Sequence, residues 1–242
     1  MSALLVVVGV MSLQATPLVL DRPLRAEPAE VGGERRVEAA AGAWYVTSDR
    51  LDSIGTPMQI KWNLSKAWQL RMQAVGWVGV ASTFMELGEF RDIEVGAQYQ
   101  FYGAGSAPGS GVDASFRALL VGIHHKKFRA ILTSLIGRRW KSSELDFNIE
   151  LSVPFNEESS EAIPLTGTFA LGGKHWFSEF WGGAAGYVLE VPEEMKVRHR
   201  AEGSFLARLS KNWVIDAGGE YQFAPWTRFI FKAGVSFYIG HL

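Results

Sequence analysis

The sequence predicts an all-β chain closed into an antiparallel transmembrane β-barrel of about 12 strands, and three observations carry that prediction. Within residues 201–209, 213–223 and 229–239 the odd positions are all uncharged, among them Phe205, Leu209, Trp213, Ile215, Tyr221, Phe223, Phe231, Val235, Phe237 and Ile239. The even positions carry Glu202, Ser204, Arg208, Asp216, Glu220, Gln222, Lys232 and Ser236. Apolar and polar faces alternating with period two are the signature of a strand. Each run is about ten residues long, enough to cross a bilayer at a tilt. Finally, no apolar run reaches the ~18 residues of a spanning helix, so a chain of this kind that crosses a membrane must do so as a barrel.

Composition sets outer bounds. The chain has 242 residues, a formal net charge of -1 and no cysteine, which removes a nucleic-acid footprint, disulfides, thiolate metal sites and cysteine nucleophiles. Its 9 Trp, 15 Phe and 26 Gly suit aromatic girdles and closely packed strands.

In chain order, Ala3 to Leu13 is an apolar run of signal-peptide size, with cleavage after Ala15 expected although no Lys or Arg precedes it. Residues 16–36, with three prolines and mixed charges, read as an irregular periplasmic tether, and 37–242 as the barrel. Strands are expected at 37–46, 58–64, 68–80 and 90–102, with loops at 49–57, 65–67 and 82–89. The small-residue stretch 103–111 reads as a loop. Strands 112–124 and 128–140 are the least regular, because both of their faces are largely apolar; only Asp113, Ser115, Arg117, Arg129 and Thr133 mark an inward side. Residues 144–155 restore clear alternation, and an acidic loop follows. Strands at 163–173 and 176–191 then precede the three terminal ones, which makes twelve, an even number with both ends on the periplasmic side.

One short motif recurs. Leu64-Ser65-Lys66-Ala67-Trp68 returns as Leu209-Ser210-Lys211-Asn212-Trp213, each at a hairpin turn. Trp140 and Trp176 stand beside turns of the same parity. Trp68, Trp140, Trp176 and Trp213 are therefore expected at one membrane interface, where amphipathic rings prefer to lie.

Catalytic chemistry is not legible. A lipid hydrolase on a barrel wall needs a serine and a histidine held together with a group to orient the imidazole, and none of the five histidines lies two residues from a serine on one strand face. His124-His125-Lys126-Lys127 reads as a loop tip. Asp146, Asn148 and Glu150 share a face, as a polar lumen requires. The Gly-rich run 103–109 lacks a phosphate-loop lysine. No catalytic residue, metal ligand or cofactor is expected.

The run Gly88-Glu89-Phe90-Arg91-Asp92-Ile93-Glu94-Val95-Gly96-Ala97-Gln98-Tyr99-Gln100-Phe101 resembles a strand of the outer-membrane transporters associated with the MetA pathway of phenol degradation. Leu209-Ser210-Lys211-Asn212-Trp213 with Gly218-Gly219-Glu220-Tyr221 is similar to that family's last hairpin. Gln98 stands where the family often has Lys, and the chain ends Ile239-Gly240-His241-Leu242 instead of in a terminal aromatic. The resemblance implies a barrel for passage of small, aromatic or hydrophobic solutes, with no catalytic residues to carry over.

The expectation is therefore a bacterial outer-membrane channel for passive diffusion of small solutes, whose partners are outer-membrane lipids, the barrel-assembly machinery and the solute, with no nucleic acid. The lumen-lining residues expected to set its field are Lys61, Arg71, Glu94, Arg117, Arg129, Glu150, Glu202, Arg208, Asp216, Glu220 and Lys232. Two alternatives stay open: a structural barrel with a salt-bridged, closed lumen, and an outer-membrane lipid-modifying enzyme.

Overall fold

The structure is a computed structural model and describes residues 28, 29, 31–47, 52–81, 84–86, 90–103, 111–123, 127–155, 165–193, 196–224 and 228–241. The apolar leader at 1–15 and most of the tether lie outside the described residues.

Thirteen strands follow one another: β1 (Arg36–Thr47), β2 (Asp52–Asn63), β3 (Trp68–Ala81), β4 (Phe84–Glu86), β5 (Phe90–Tyr102), β6 (Gly111–Ile123), β7 (Lys127–Arg139), β8 (Ser143–Phe155), β9 (Thr166–Trp176), β10 (Trp181–Pro192), β11 (Arg198–Ser210), β12 (Trp213–Ala224) and β13 (Arg228–His241). Each pairs antiparallel with its sequence neighbour, except that β3 pairs with both the short β4 and β5. Pairing of β1 with β13, from Arg36↔His241 to Thr47↔Phe229, joins the first strand to the last. Leaving out β4, which extends only the end of β3, twelve strands close into a ring with no free edge.

The side-chain distribution is that of a membrane barrel. In β8, Leu145, Phe147, Ile149 and Leu151 are exposed, whereas Asp146, Asn148, Glu150 and Ser152 are buried. The same inversion runs through β2, β3, β5 and β12. In water such an apolar exterior would aggregate; against acyl chains it is the solvated face.

Three sequence expectations shift. The stretch 52–57, expected as loop, belongs to β2, and Pro57 is tolerated because the ladder to β1 is interrupted between Ala41↔Met58 and Trp44↔Gly55, where its missing N–H costs no bond. The hairpin expected around Lys174 and His175 instead turns at residues 177–180; Gly172 and Gly173 are strand residues facing Asp146 and Leu145. The true turn is a third copy of the apolar-Ser-x-x-Trp motif, Phe177-Ser178-Glu179-Phe180-Trp181. Ser178 Oγ accepts the N–H groups of Phe180 (3.2 Å) and Trp181 (3.1 Å). Ser65 Oγ does the same for Ala67 (3.2 Å) and Trp68 (3.1 Å). Finally, β4 forms within the stretch 82–89 expected as loop.

Candidate functional site: the barrel interior

All eleven residues expected to line the lumen occupy inward positions of their strands, and Lys61, Arg71, Arg117, Glu150, Glu202, Asp216 and Glu220 are buried. The interior divides along the barrel axis. At the end of the short turns, where β1 begins and β13 ends, side-chain amides dominate. Asn63 Oδ1 accepts from Gln69 Nε2 at 2.7 Å, Gln98 Oε1 from Arg71 Nη1 at 3.2 Å, and Ser115 Oγ from Gln98 Nε2 at 3.0 Å. Gln100 Nε2 donates to Asp113 Oδ1 at 2.8 Å.

These amides also hold the chain that precedes β1. Gln98 Nε2 lies 3.2 Å from the carbonyl oxygen of Ala29 and 3.4 Å from that of Pro28, and Gln100 Oε1 accepts the Val31 N–H at 2.8 Å. Ala29 (1% exposed) and Val31 (4%) are as buried as a core residue. A Cβ on Gly137 would lie 3.5 Å from the Ala29 Cβ and one on Gly32 would meet Asn63, so small residues in wall and segment let them pack together. Beside it, Glu38 is held between Arg36 Nε (3.0 Å) and Lys61 Nζ (3.1 Å). Residues 28, 29, 31 and 32 of the expected tether therefore lie inside the barrel at its short-turn end, where backbone groups find amide partners, while Glu34 and Arg35 are exposed.

The other half presents two unlike walls. On β10–β13 a ladder of alternating charge runs from Arg198 to Glu190, Arg200, Glu220, Lys232 and Glu202. Arg198 Nη1 is 3.7 Å from Glu190, whose carboxylate also pairs with Arg200 Nη2; Arg200 Nη1 reaches Glu220 Oε1 at 2.9 Å. Lys232 Nζ then bridges Glu220 Oε2 at 2.7 Å and Glu202 Oε2 at 3.3 Å. Glu202 and Glu220 stand directly opposite each other on β11 and β12, an arrangement that repels unless a cation intervenes. Lys232 supplies it by crossing β12 at Gly218, its register partner, where no side chain obstructs.

Further round the ring, the wall on β6 and β7 carries an apolar patch. Leu119, Val121 and Ile131 form a buried cluster, with Val121 at 0% exposure. Below it Arg117 Nη2 contacts Thr133 Oγ1 at 3.3 Å and Glu150 Oε2 at 3.8 Å. Arg129 and Glu94 flank Val121 in register, one on each side. The residues missed in the sequence are these inward Leu, Val and Ile; the signal was present as the apolar second face of those two strands.

Arg208 is opposite Val214 and diagonal to Asp216, and its guanidinium lies over the Trp176 ring at 4.1 Å and donates to the Glu179 carbonyl at 3.4 Å. Trp176 shares the inward parity of Lys174 and packs on the buried Ala184 and Leu206, so its ring faces the interior; it is not at the expected interface position. Trp181, five residues on, takes the exposed outward position beside Phe205. Trp68, Trp140 and Trp213 are exposed on the outer wall at the same end, Trp68 against Tyr99 and Trp213 stacked on Phe237.

A serine and a histidine do meet, across strands. Ser143 Oγ and His175 Nδ1 are 2.8 Å apart on the outer face of β8 and β9. Among the described residues no carboxylate is bonded to that imidazole, so the pair lacks the orienting group of a hydrolase triad. No group of three or more His, Cys, Asp or Glu side chains among the described residues is placed to hold a metal ion.

Comparison with solved structures gives the fold. The chain is a twelve-stranded antiparallel barrel of the kind seen in bacterial outer-membrane channels. It matches the COG4313 outer membrane channel from Pseudomonas putida F1 with a TM-score of 0.65 at 8% identity, over 87% of this chain and 98% of that one. The NanC porin matches with a TM-score of 0.64 at 9% identity, over 82% and 98%. The CymD monoaromatic hydrocarbon channel matches with a TM-score of 0.51 at 9% identity, over 86% and 90%. No family model and no curated protein matches the sequence.

Proposed function

We propose that this barrel sits in the bacterial outer membrane and passes small solutes that combine an apolar ring or chain with a polar group. The observation that carries this is the pairing of unlike walls in the long-loop half: Leu119, Val121 and Ile131 on one side, the Arg198-to-Glu202 ladder on the other. A general aqueous pore gains nothing from an apolar patch in its inner wall, whereas the apolar ring or chain of a solute passes such a patch without losing hydrogen bonds to water. A polar group on the same solute then meets charge-paired side chains opposite. CymD, a channel for monoaromatic hydrocarbons by name, shares the fold and supports this choice of solute, as does the resemblance to phenol-degradation transporters.

The test is uptake into lipopolysaccharide-containing proteoliposomes. A monoaromatic such as phenol should enter faster with the protein than without it, and Leu119→Arg should abolish the gain. Equal rates with and without protein would overturn the proposal. A salt-bridged scaffold is the second reading, favoured by residues 28, 29, 31 and 32 packed inside the short-turn end; it expects no uptake of phenol.

A further inference from the structure

The outer wall carries one feature that neither passage of solutes nor barrel closure uses. At the short-turn end, Arg138 takes an outward position on β7, beside Ile136 of the same face and Leu145 of β8. Among the described strand residues at that end, the other lysines and arginines, Arg36, Lys61, Arg71, Arg139, Lys174 and Arg208, turn inward. An outward arginine is disfavoured against acyl chains and becomes tolerable only near the headgroups. Its guanidinium lies 5.1 Å from the Trp140 ring centroid, which fixes the side chain while leaving its N–H groups outward.

Around it the register assembles donors. Trp140 N–H bonds the Ser143 carbonyl at 2.8 Å, and Ser143 is the register partner of His175, so Trp140, Ser143 and His175 stand side by side at strand spacing. Ser143 Oγ orients the His175 ring, Phe177 meets its edge, and exposed Lys141 lies in the turn just beyond Trp140. No described carboxylate pairs with Arg138 or Lys141. The nearest acid in sequence, Glu144, faces inward to Lys174 and Arg139.

We propose that this patch binds the headgroup of an anionic phospholipid in the leaflet nearer the short turns. Arg138 and Lys141 meet the phosphate charge, the Ser143–His175 pair, whose mutual hydrogen bond leaves one donor free, donates it to a phosphate or glycerol oxygen, and Trp140 and Phe177 lie against the acyl ester level. Chemistry selects a lipid over a free phosphate because the donors sit on the acyl-facing wall among exposed apolar residues.

The test uses the full chain in detergent micelles doped with phosphatidylglycerol or phosphatidylcholine, with retained lipid counted by native mass spectrometry. The parent should retain phosphatidylglycerol over phosphatidylcholine, and Arg138→Gln with Lys141→Gln should weaken retention about thirtyfold, equivalent to about 2 kcal/mol for two cations near a lipid phosphate. Lys66→Gln with Lys211→Gln, which removes two exposed turn lysines elsewhere, should change nothing; heat-modifiable migration on gels confirms that each variant is folded. Equal retention of the two lipids by the parent would overturn the site, as would unchanged retention in the Arg138/Lys141 variant or loss in the Lys66/Lys211 variant. Because phenol uptake is measured separately, failure here leaves the solute proposal standing and failure there leaves this one.

Discussion

Replacing Lys232 by Met removes the cation that separates two facing carboxylates, and the structure sets the size of the effect. Glu202 and Glu220 are register partners on one face, which brings their Cβ atoms to about 5 Å. Two unit charges at about that distance in an effective dielectric near 20 repel by about 3 kcal/mol. Glu220 keeps its 2.9 Å contact with Arg200. Lys232→Met should therefore lower stability by about 3 kcal/mol, within the range for breaking a buried pair. Glu202→Gln in the same chain should restore most of that loss. The assay is urea unfolding in lipid vesicles followed by tryptophan fluorescence, run as a double-mutant cycle. If Lys232→Met costs less than about 1 kcal/mol, the value for solvated pairs, and Glu202→Gln rescues nothing, the ladder is immersed in water and the inner wall is not a packed structure.

Three further outcomes follow from single contacts. Gln98→Leu removes the donor to the Pro28 and Ala29 carbonyls, so single-channel conductance in planar bilayers should rise; unchanged conductance would mean that the Pro28 and Ala29 segment does not restrict the path. Gly218→Val places a Cβ against Ser204 Oγ and the Gly203 carbonyl, so the heat-modifiable folded band should be lost on gels, while Gly240→Val, with open space around its Cβ, should keep it. In single-tryptophan variants, Trp181 and Trp213 should be quenched most by lipids brominated near the headgroup, and Trp176, packed inside, should be quenched by neither shallow nor deep bromines.

Most of the barrel was legible because period-two alternation is a direct image of its two solvents. Strands β5, β8, β11, β12 and β13 follow that alternation almost residue for residue. What was not legible depends on partners rather than period. Pro57 reads as a loop residue until a gap in the β1–β2 ladder is known. Lys174-His175 reads as a turn until both are seen opposite β8, and the actual turn rests on one serine hydroxyl that satisfies two backbone donors. Trp176 reads as another girdle tryptophan because shifting the hairpin by a few residues changes which face it occupies. Inward charges were found from parity alone, but which pairs with which was not: Arg208 turns to Trp176, and Lys232 reaches past its own neighbour to Glu202.

The weakest strands in the sequence point most directly to the chemistry inside. In β6 and β7 the polar face gives way to Leu119, Val121 and Ile131 where every rule for a water-filled lumen asks for polar groups. Stability does not require them, since a barrel's hydrogen bonds run between strands whatever lines its interior. Further round the ring, on β10–β13, the wall carries Glu190, Arg200, Glu220 and Lys232, with the buried Val188 as register partner of Arg200. On the proposed passage of solutes, the apolar patch and the ion-pair ladder would meet different parts of one molecule. Leu119→Arg and Glu220→Gln should therefore fail differently: the first loses apolar and phenolic solutes alike, whereas the second loses only the preference for phenol over toluene. Loss of both preferences in both variants would show one collapsed wall instead of two.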